Sequence, residues 1–357
     1  MFDSFSLPSL LLIFAAAAAA VWIAGVYLSD ATDILSSRWE LGQALGGLII
    51  LAVVTNLPEI AITVSGAWHH QLDLAVGNLL GGIALQTVVL VALDIWGVGK
   101  PAPLTYRAAS LSLVLEGALV IAVLSLVIMG TQLPSSLVVV RVAPADLLIV
   151  VLWIVGIWLV GKSQTDLPWQ NKGLAPDGQP EPRGHSQQKK EQDEWNKRKG
   201  TLRVVLVFAL GAVVTLVCGV VLESSGDAIA KHIGMTGVLF GATVLAASTS
   251  LPELSTGLAS IKLGDYQLAV SDIFGGNAFL PVLFLVASVI SGQSVLPHAQ
   301  KSDIYLTGLG VLLTTAYVAG LIFRPRLQVG RMGVDSLAVL LLYLLGVGGL
   351  FFIAQGS

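Results

Sequence analysis

The sequence predicts an all-α membrane protein of ten transmembrane helices, arranged as two inverted five-helix repeats with the N and C termini outside. Three observations lead to that fold class. Only 11% of the 357 residues are charged while 55% are hydrophobic, and the mean hydropathy is +0.84; a soluble domain carries roughly 25% charged residues. Apolar runs long enough to cross a bilayer recur to the end of the chain. The second half repeats the first at a fixed offset. With so little charge to cover a water-facing surface, soluble enzymes, nucleic-acid binders and secreted disulfide scaffolds are excluded. The single cysteine, Cys218, lies inside an apolar run, cannot form an intramolecular disulfide and reads as a small packing residue. The net charge of −3 points to no particular partner.

A span needs about 20 mostly apolar residues. Such runs occur at 8–29, 41–67, 72–95, 105–130, 145–162, 202–223, 234–261, 266–291, 303–323 and 333–354. Strands of a barrel would alternate over shorter segments. The first residues carry Asp3 and no basic stretch, so the first span is expected to be retained rather than cleaved. The 19 Lys and Arg residues orient the bundle: only Arg141, Lys231 and Lys301 belong to even-numbered loops, and the other sixteen lie in or beside odd-numbered ones. Cytoplasmic loops collect basic residues, which puts the odd loops inside and both termini outside. The expected location is the cell (inner) membrane, as a multi-pass integral protein.

Residues 163–201 are the only long hydrophilic stretch, with Pro168, Pro176, Pro180 and Pro182 followed by a mixed-charge run. That composition reads as a flexible cytoplasmic linker. A regulatory segment binding ions or anionic lipid is the functional alternative, but no ligand spacing appears in it. The loop divides the chain into a first five-helix repeat, 1–162, and a second, 202–357. Leu51-Ala-Val-Val-Thr-Asn-Leu-Pro-Glu59 matches Leu245-Ala-Ala-Ser-Thr-Ser-Leu-Pro-Glu253, an offset of 194. The register holds without a gap: Asp33 meets Asp227, Gly47 meets Gly241, Leu74-Ala-Val76 meets Leu268-Ala-Val270, and Gly81-Gly82 meets Gly275-Gly276. Five spans per half is an odd number, so the second copy enters from the opposite side. Inverted repeats of this kind are a transporter architecture, with the binding site near the midplane between the copies.

Each copy places a glutamate inside a hydrophobic span, directly after a proline. An ionised carboxylate there costs roughly 2.5 kcal/mol or more. Glu59 and Glu253 occupy equivalent positions, so they are expected to face each other, and two nearby carboxylates repel unless protons or cations neutralise them. Pro58 and Pro252 lack N–H groups, which frees the carbonyls of Val54 and Ser248 and breaks each helix. Thr55, Asn56, Thr249 and Ser250 surround the break. The sum is a cluster of hard oxygen donors without Cys or His, an inventory that suits calcium better than zinc or copper. The plainer explanation, glutamates paired with buried basic residues, fails because no Lys or Arg lies deep in any span.

Spans three and eight supply Gly77-Asn-Leu-Leu-Gly-Gly82 and Ser271-Asp-Ile-Phe-Gly-Gly-Asn277. Close helix contact is a sufficient reason for their glycines. Asn78 and Asp272 are equivalent and could face the carboxylates; Asp272 adds a third buried acid. Gln86 is one-sided, since its counterpart is Leu280. Glu116, mid-span in the fourth helix without a visible counterpart, could snorkel, bond a neighbour or relay protons. His69 and His70 sit at an outward turn and read as solvated. Asp33 and Asp227, just beyond spans one and six, read as helix caps.

On these residues the sequence resembles the cation/calcium exchanger superfamily, whose motifs approach G-T-S-L-P-E followed by G-N-x-x-G-S-N. The chain shows Val54-Thr-Asn-Leu-Pro-Glu59 with Gly77-Asn-Leu-Leu-Gly-Gly-Ile83, and Ser248-Thr-Ser-Leu-Pro-Glu253 with Ser271-Asp-Ile-Phe-Gly-Gly-Asn277. The resemblance implies that Glu59 and Glu253 are the paired glutamates of a central calcium site, that the carbonyls of Thr55 and Thr249 join them, and that Ser250 is a sodium-site hydroxyl. Asn56 departs from the motif by replacing that serine in the first copy. Gly82 and Gly276 replace both later serines, and Leu280 stands where Asn or Asp is usual. The divalent site thus reads as retained and the sodium sites as partly dismantled, with Gln86 and Asn277 as amides that could contribute oxygens.

The expected function is a secondary antiporter that moves a divalent cation, calcium by resemblance, in exchange for sodium or protons by alternating access. A proton-coupled exchanger for another cation and a degenerate exchanger acting as an ion sensor are the alternatives. An intramembrane hydrolase would need a G-x-S-G or G-x-G-D constellation, and neither is present. No catalytic residue and no cofactor are expected beyond the transported ions. Inorganic cations and membrane lipid are the expected partners; nothing points to nucleic acid or to a protein partner.

Overall fold

Long apolar runs become long helices because a bilayer offers no other partner for the backbone. The computed structural model describes residues 2, 4–38, 52–99, 102–108, 110–134, 137–138, 141–163 and 200–355. Among the described residues, nine helical stretches are long and apolar enough to cross a membrane. Most of the central loop and residues 41–51 of the second expected span lie outside the described residues.

The chain opens with α1 (Leu7–Arg38), then the short α2 (Ala52–Thr55) and α3 (Leu57–Trp68). Helix α4 (Leu72–Ala92) continues through a wider π turn at Leu93–Val98, and α5 (Leu104–Ala108), α6 (Leu111–Thr131) and α7 (Pro144–Ser163) follow. After the loop come α8 (Thr201–Ile233), α9 (Gly237–Phe240), a π turn at Gly241–Leu245, α10 (Ala246–Thr249) and α11 (Leu251–Lys262). Helix α12 (Tyr266–Phe279) passes through one 3-10 turn into α13 (Leu283–Ser291). Helix α14 (Lys301–Phe323) is joined to α15 (Val334–Gln355) by a hairpin pairing Gln328–Val329 with Met332–Gly333. Asp94 clasps that hairpin: its two oxygens accept from the backbone N–H groups of Leu104 and Gly333, each at 2.7 Å.

Two packing layers position the site. The long helices α1 and α8 run against each other, burying Leu10, Phe14 and Val21 beside Leu222, Ile229 and Phe240. Leu206, Leu210, Val213 and Val217 of α8 stay exposed, as a lipid-facing side requires. Behind them α4, α6, α12 and α14 form the main core around Leu80, Ile83, Val120, Phe274 and Leu313. Helix α4 meets the second half backbone to backbone. A Cβ on Gly77 would lie 2.6 Å from the Val238 carbonyl, one on Gly241 would lie 2.5 Å from the Leu74 carbonyl, and one on Gly81 would overlap Ala242. Glycine is what permits this approach, as in small-residue membrane interfaces generally.

Two expectations change. Helix α8 runs to Ile233, ten residues beyond the apolar run that ends at 223. Helices carry on through polar residues once outside hydrocarbon, which an apolar count cannot register. Asp227 is therefore not a cap: it lies within α8, accepting from Lys231 at 2.5 Å and from Gln71 Nε2 at 2.9 Å. The side chain of Asp33 lies outside the described residues. Glu116 does not snorkel; it is 2% exposed and lines a small cavity with Trp153, Phe274 and Gly275.

Candidate site at the two broken helices

The prolines break both helices one residue before the Leu-Pro-Glu segment. Helix α2 ends at Thr55 and α3 starts at Leu57, with Asn56 between them at φ −88°, ψ 16°. Helix α10 ends at Thr249 and α11 starts at Leu251, with Ser250 at φ −84°, ψ 2°. The same break at repeat-equivalent residues follows from the same cause, the missing N–H of Pro58 and Pro252. Each glutamate then falls in the first turn of a new helix, where the partial positive charge of the helix N-terminus favours an anion.

Glu59 is fully buried and Glu253 is 1% exposed. Glu59 Oε1 accepts from Gln86 Nε2 at 3.5 Å, and the same amide donates to Asn56 Oδ1 at 3.5 Å. The Thr249 hydroxyl of the other half lies near Glu59, while its one proton goes to the Ala246 carbonyl. Both oxygens of Glu253 and Oε2 of Glu59 have no hydrogen-bond partner among the described residues. Glu59 and Asp272 both lie within electrostatic reach of Glu253. Asp272 is 7% exposed; its Oδ1 accepts from Thr55 Oγ at 3.5 Å and its Oδ2 from Thr256 Oγ at 2.8 Å. Three buried carboxylates, two from the Leu-Pro-Glu segments and one from α12, thus share one electrostatic neighbourhood, although among the described residues no three acidic side chains are close enough together to hold a metal ion between them. Buried oxygens without donors in this number are where a cation or proton is required.

Other expected site residues take different places. The Ser250 hydroxyl turns back to the Ala246 carbonyl at 2.8 Å, and Thr249 also bonds Ala246 O, at 3.2 Å. Asn277 Nδ2 donates to Ile83 O at 3.3 Å and to Thr87 Oγ at 3.2 Å, tying α12 to its own repeat-equivalent position on α4. Asn78 is fully buried on α4 with neither amide atom partnered among the described residues. Gly276 lies so close to Asn56 that a Cβ there would sit 2.7 Å from the amide nitrogen; Gly82 meets only Leu280, at 3.9 Å. Thr256 is the residue that sequence reasoning missed. Its signal was available: a hydroxyl three residues after Glu253 shares that helix face.

This architecture defines a membrane exchanger, and the chain belongs to the sodium/calcium exchanger protein family, whose model matches residues 9–162 and 203–352. Family members are transporters rather than enzymes. Among curated relatives, the inner membrane protein YrbG of Escherichia coli (strain K12) is 26% identical over 316 residues, covering 86% of this chain and 87% of that protein. Among solved structures, the H+/Ca2+ exchanger CAX superposes with a TM-score of 0.67 at 15% identity, covering 97% of this chain and 85% of that one. The sodium-calcium exchanger NCX_Mj superposes at 0.61 with 14% identity, covering 96% and 99%. At such identities the two structures speak for the fold alone.

Proposed function

We propose that the chain is a calcium antiporter of the inner membrane, built as two inverted five-helix repeats, 1–162 and 202–357, joined by a cytoplasmic linker at 163–201 with both termini outside. The observation that supports this reading is that Glu253 is buried within electrostatic reach of Glu59 from the other half and of Asp272, and that both Glu253 oxygens and Oε2 of Glu59 have no partner among the described residues; binding would draw the three acids closer than they stand here. Calcium takes six to eight oxygens and tolerates irregular geometry. The two glutamates, the Asp272 carboxylate and the carbonyls of Thr55 and Thr249 would form its ligand set. Gln86 and, through it, Asn56 stand beside Glu59 as neutral oxygens; Asn78, Asn277 and Ser250 would have to turn toward the set to join it. The ion and its counter-ions occupy the same carboxylates in turn. Alternating access follows from α1 and α8 sliding over the fixed cluster.

We assign protons as the counter-ion. A sodium site needs several neutral oxygens at close range. Here the Ser250 hydroxyl is turned back to its own helix, Gly82 and Gly276 carry no hydroxyl, and Asn56 fills the space over Gly276. Protons need only the carboxylates. The test is calcium-45 uptake into proteoliposomes under separately imposed gradients. Uptake driven by a pH gradient without sodium is expected. Strict dependence on sodium would show that the amides of Asn56 and Gln86 rebuild a sodium site, and binding without flux would make the protein a sensor.

A further inference from the structure

Helices α1 and α8 each press a glycine against the proline of the other half. A Cβ on Gly25 would lie 2.7 Å from Pro252 Cβ; one on Gly219 would lie 2.7 Å from Ala61 Cβ and 3.1 Å from the Pro58 carbonyl. Gly25 and Gly219 are repeat-equivalent, as are Pro58 and Pro252. Near the breaks, then, the two sliding contacts match.

One turn further along, they do not. Glu223 of α8 is fully buried, and its Oε2 accepts from Ser65 Oγ of α3 at 2.9 Å and from Ser224 Oγ at 2.9 Å. Its Oε1 has no partner among the described residues. Ser65 is 5% exposed and Ile62, one turn nearer to Glu59, is fully buried. The repeat counterparts of Glu223, Ser65 and Ile62 are Ser29, Ala259 and Thr256. All three line one crevice of about 70 Å³ between α1 and α11, together with Asp30, Ser255 and Asp265. Thr256, one of its lining residues, has its hydroxyl on Asp272. At the level of these three residues the second half leaves a crevice and the first half does not; the first half opens only further out, into a cavity of about 490 Å³ lined by Gln71, Leu74, Asp227 and Lys231 beyond the Glu223–Ser65 contact.

We infer that Glu223 and Ser65 form the outward gate of the exchanger: their hydrogen bond holds α8 on α3 and shuts the outer crevice while the Ser29–Ala259 crevice opens the site to the cytoplasm. When α8 slides, the bond breaks and Glu223 enters the outer crevice, where water or an arriving cation reaches the oxygen that is unpartnered in the closed state. Glu223 is thus a positioning residue for the transport cycle and lies outside the calcium ligand set. This inference rests on the alternating-access reading and on the topology proposed above.

The experiment uses thiol accessibility, which does not require transport. In a Cys218→Ala background, Ile62→Cys reports on the outer crevice and Ala259→Cys on the inner one, each labelled by a membrane-impermeant maleimide. With the gate intact, Ala259→Cys should label rapidly from the cytoplasmic side and Ile62→Cys slowly from outside. Adding Ser65→Ala or Glu223→Ala should raise the outside rate at Ile62→Cys about fivefold, the worth of one net hydrogen bond. Glu223→Gln, whose amide oxygen can still accept from Ser65, should restore most of the slow labelling. If Ser65→Ala and Glu223→Ala leave the Ile62→Cys rate unchanged, or if that cysteine labels fast with the gate intact, the gate does not exist. Labelling of both cysteines from the reverse sides would overturn the topology and with it the outward assignment. Calcium-45 flux on the same proteoliposomes tests the transport reading separately: a gate response without flux would sink the antiport and leave the gate.

Discussion

Asn56 and Gly276 are each departures from the family motif, and the structure makes them one departure. The perturbation is to restore a serine at 276. Its Cβ would begin 2.7 Å from Asn56 Nδ2, against an ordinary contact of about 3.5–4.0 Å. Asn56 is fully buried and is held by Gln86 at 3.5 Å, so its amide has little room to retreat. Overpacking a filled interior costs about 1–3 kcal/mol, and Gly276→Ser is expected to lose that much. Asn56→Ser removes the clashing amide and a long hydrogen bond, at a cost of about 1 kcal/mol. In the double variant the two serines fit where amide and glycine fitted, so its loss should fall short of the sum by about 1 kcal/mol or more. Contacting residues couple on that scale, while independent sites add to within about 0.3–0.5 kcal/mol. Equilibrium unfolding of the purified protein in mixed micelles, run for all four members of the cycle, gives the coupling. Additivity would refute the claim that Asn56 occupies the serine's space. The double variant also returns two hydroxyls to the region, so calcium uptake should gain sodium dependence that neither single variant shows.

Three further outcomes are expected. Glu59→Gln and Glu253→Gln should each abolish calcium-45 uptake while leaving an extractable, folded protein, because loss of one charge weakens divalent binding and relieves repulsion within the cluster; near wild-type uptake in either would place the site elsewhere. Gly25→Val and Gly219→Val should block flux yet preserve calcium binding, since each adds bulk at 2.7 Å from the facing helix half, and isothermal titration beside the flux assay separates the two. A cysteine placed within 163–201 of a Cys218→Ala protein should react only from the cytoplasmic side; reaction with an impermeant reagent on intact cells would reverse the proposed orientation.

What was legible in the sequence was what periodicity and identity can carry. Apolar length marked nine of the ten expected spans among the described residues, the exception being 41–67, and a proline before a buried acid marked the breaks, because both effects act within a few residues of their cause. The fit of Asn56 over Gly276 was not legible, since it joins residues that only the packing of α12 on α2 brings together. Nor was the rotamer of Ser250, whose hydroxyl had the choice of the site or the Ala246 carbonyl and takes the carbonyl. Glu223 drew no attention at all. Its offset partner is Ser29, so the repeat gave no pair to notice, and the apolar run ends on it.

That last failure has a physical meaning. Were the two halves identical, the outward-closed and inward-closed forms would be related by symmetry and would have equal free energy. Any bias between them must come from positions where the halves differ. Glu223 with Ser65, set against Ser29 with Ala259, is such a difference, and it sits where α8 meets α3 on one side and α1 meets α11 on the other. A hydrogen bond is worth about 0.5–1.5 kcal/mol net. A term of that size present in one state alone shifts a two-state equilibrium by about twofold to tenfold. The repeat therefore builds the two states, and its imperfections choose between them. In this chain the choice described by the structure, closed at Glu223 and open at Ala259, is the one that the surviving hydrogen bond selects.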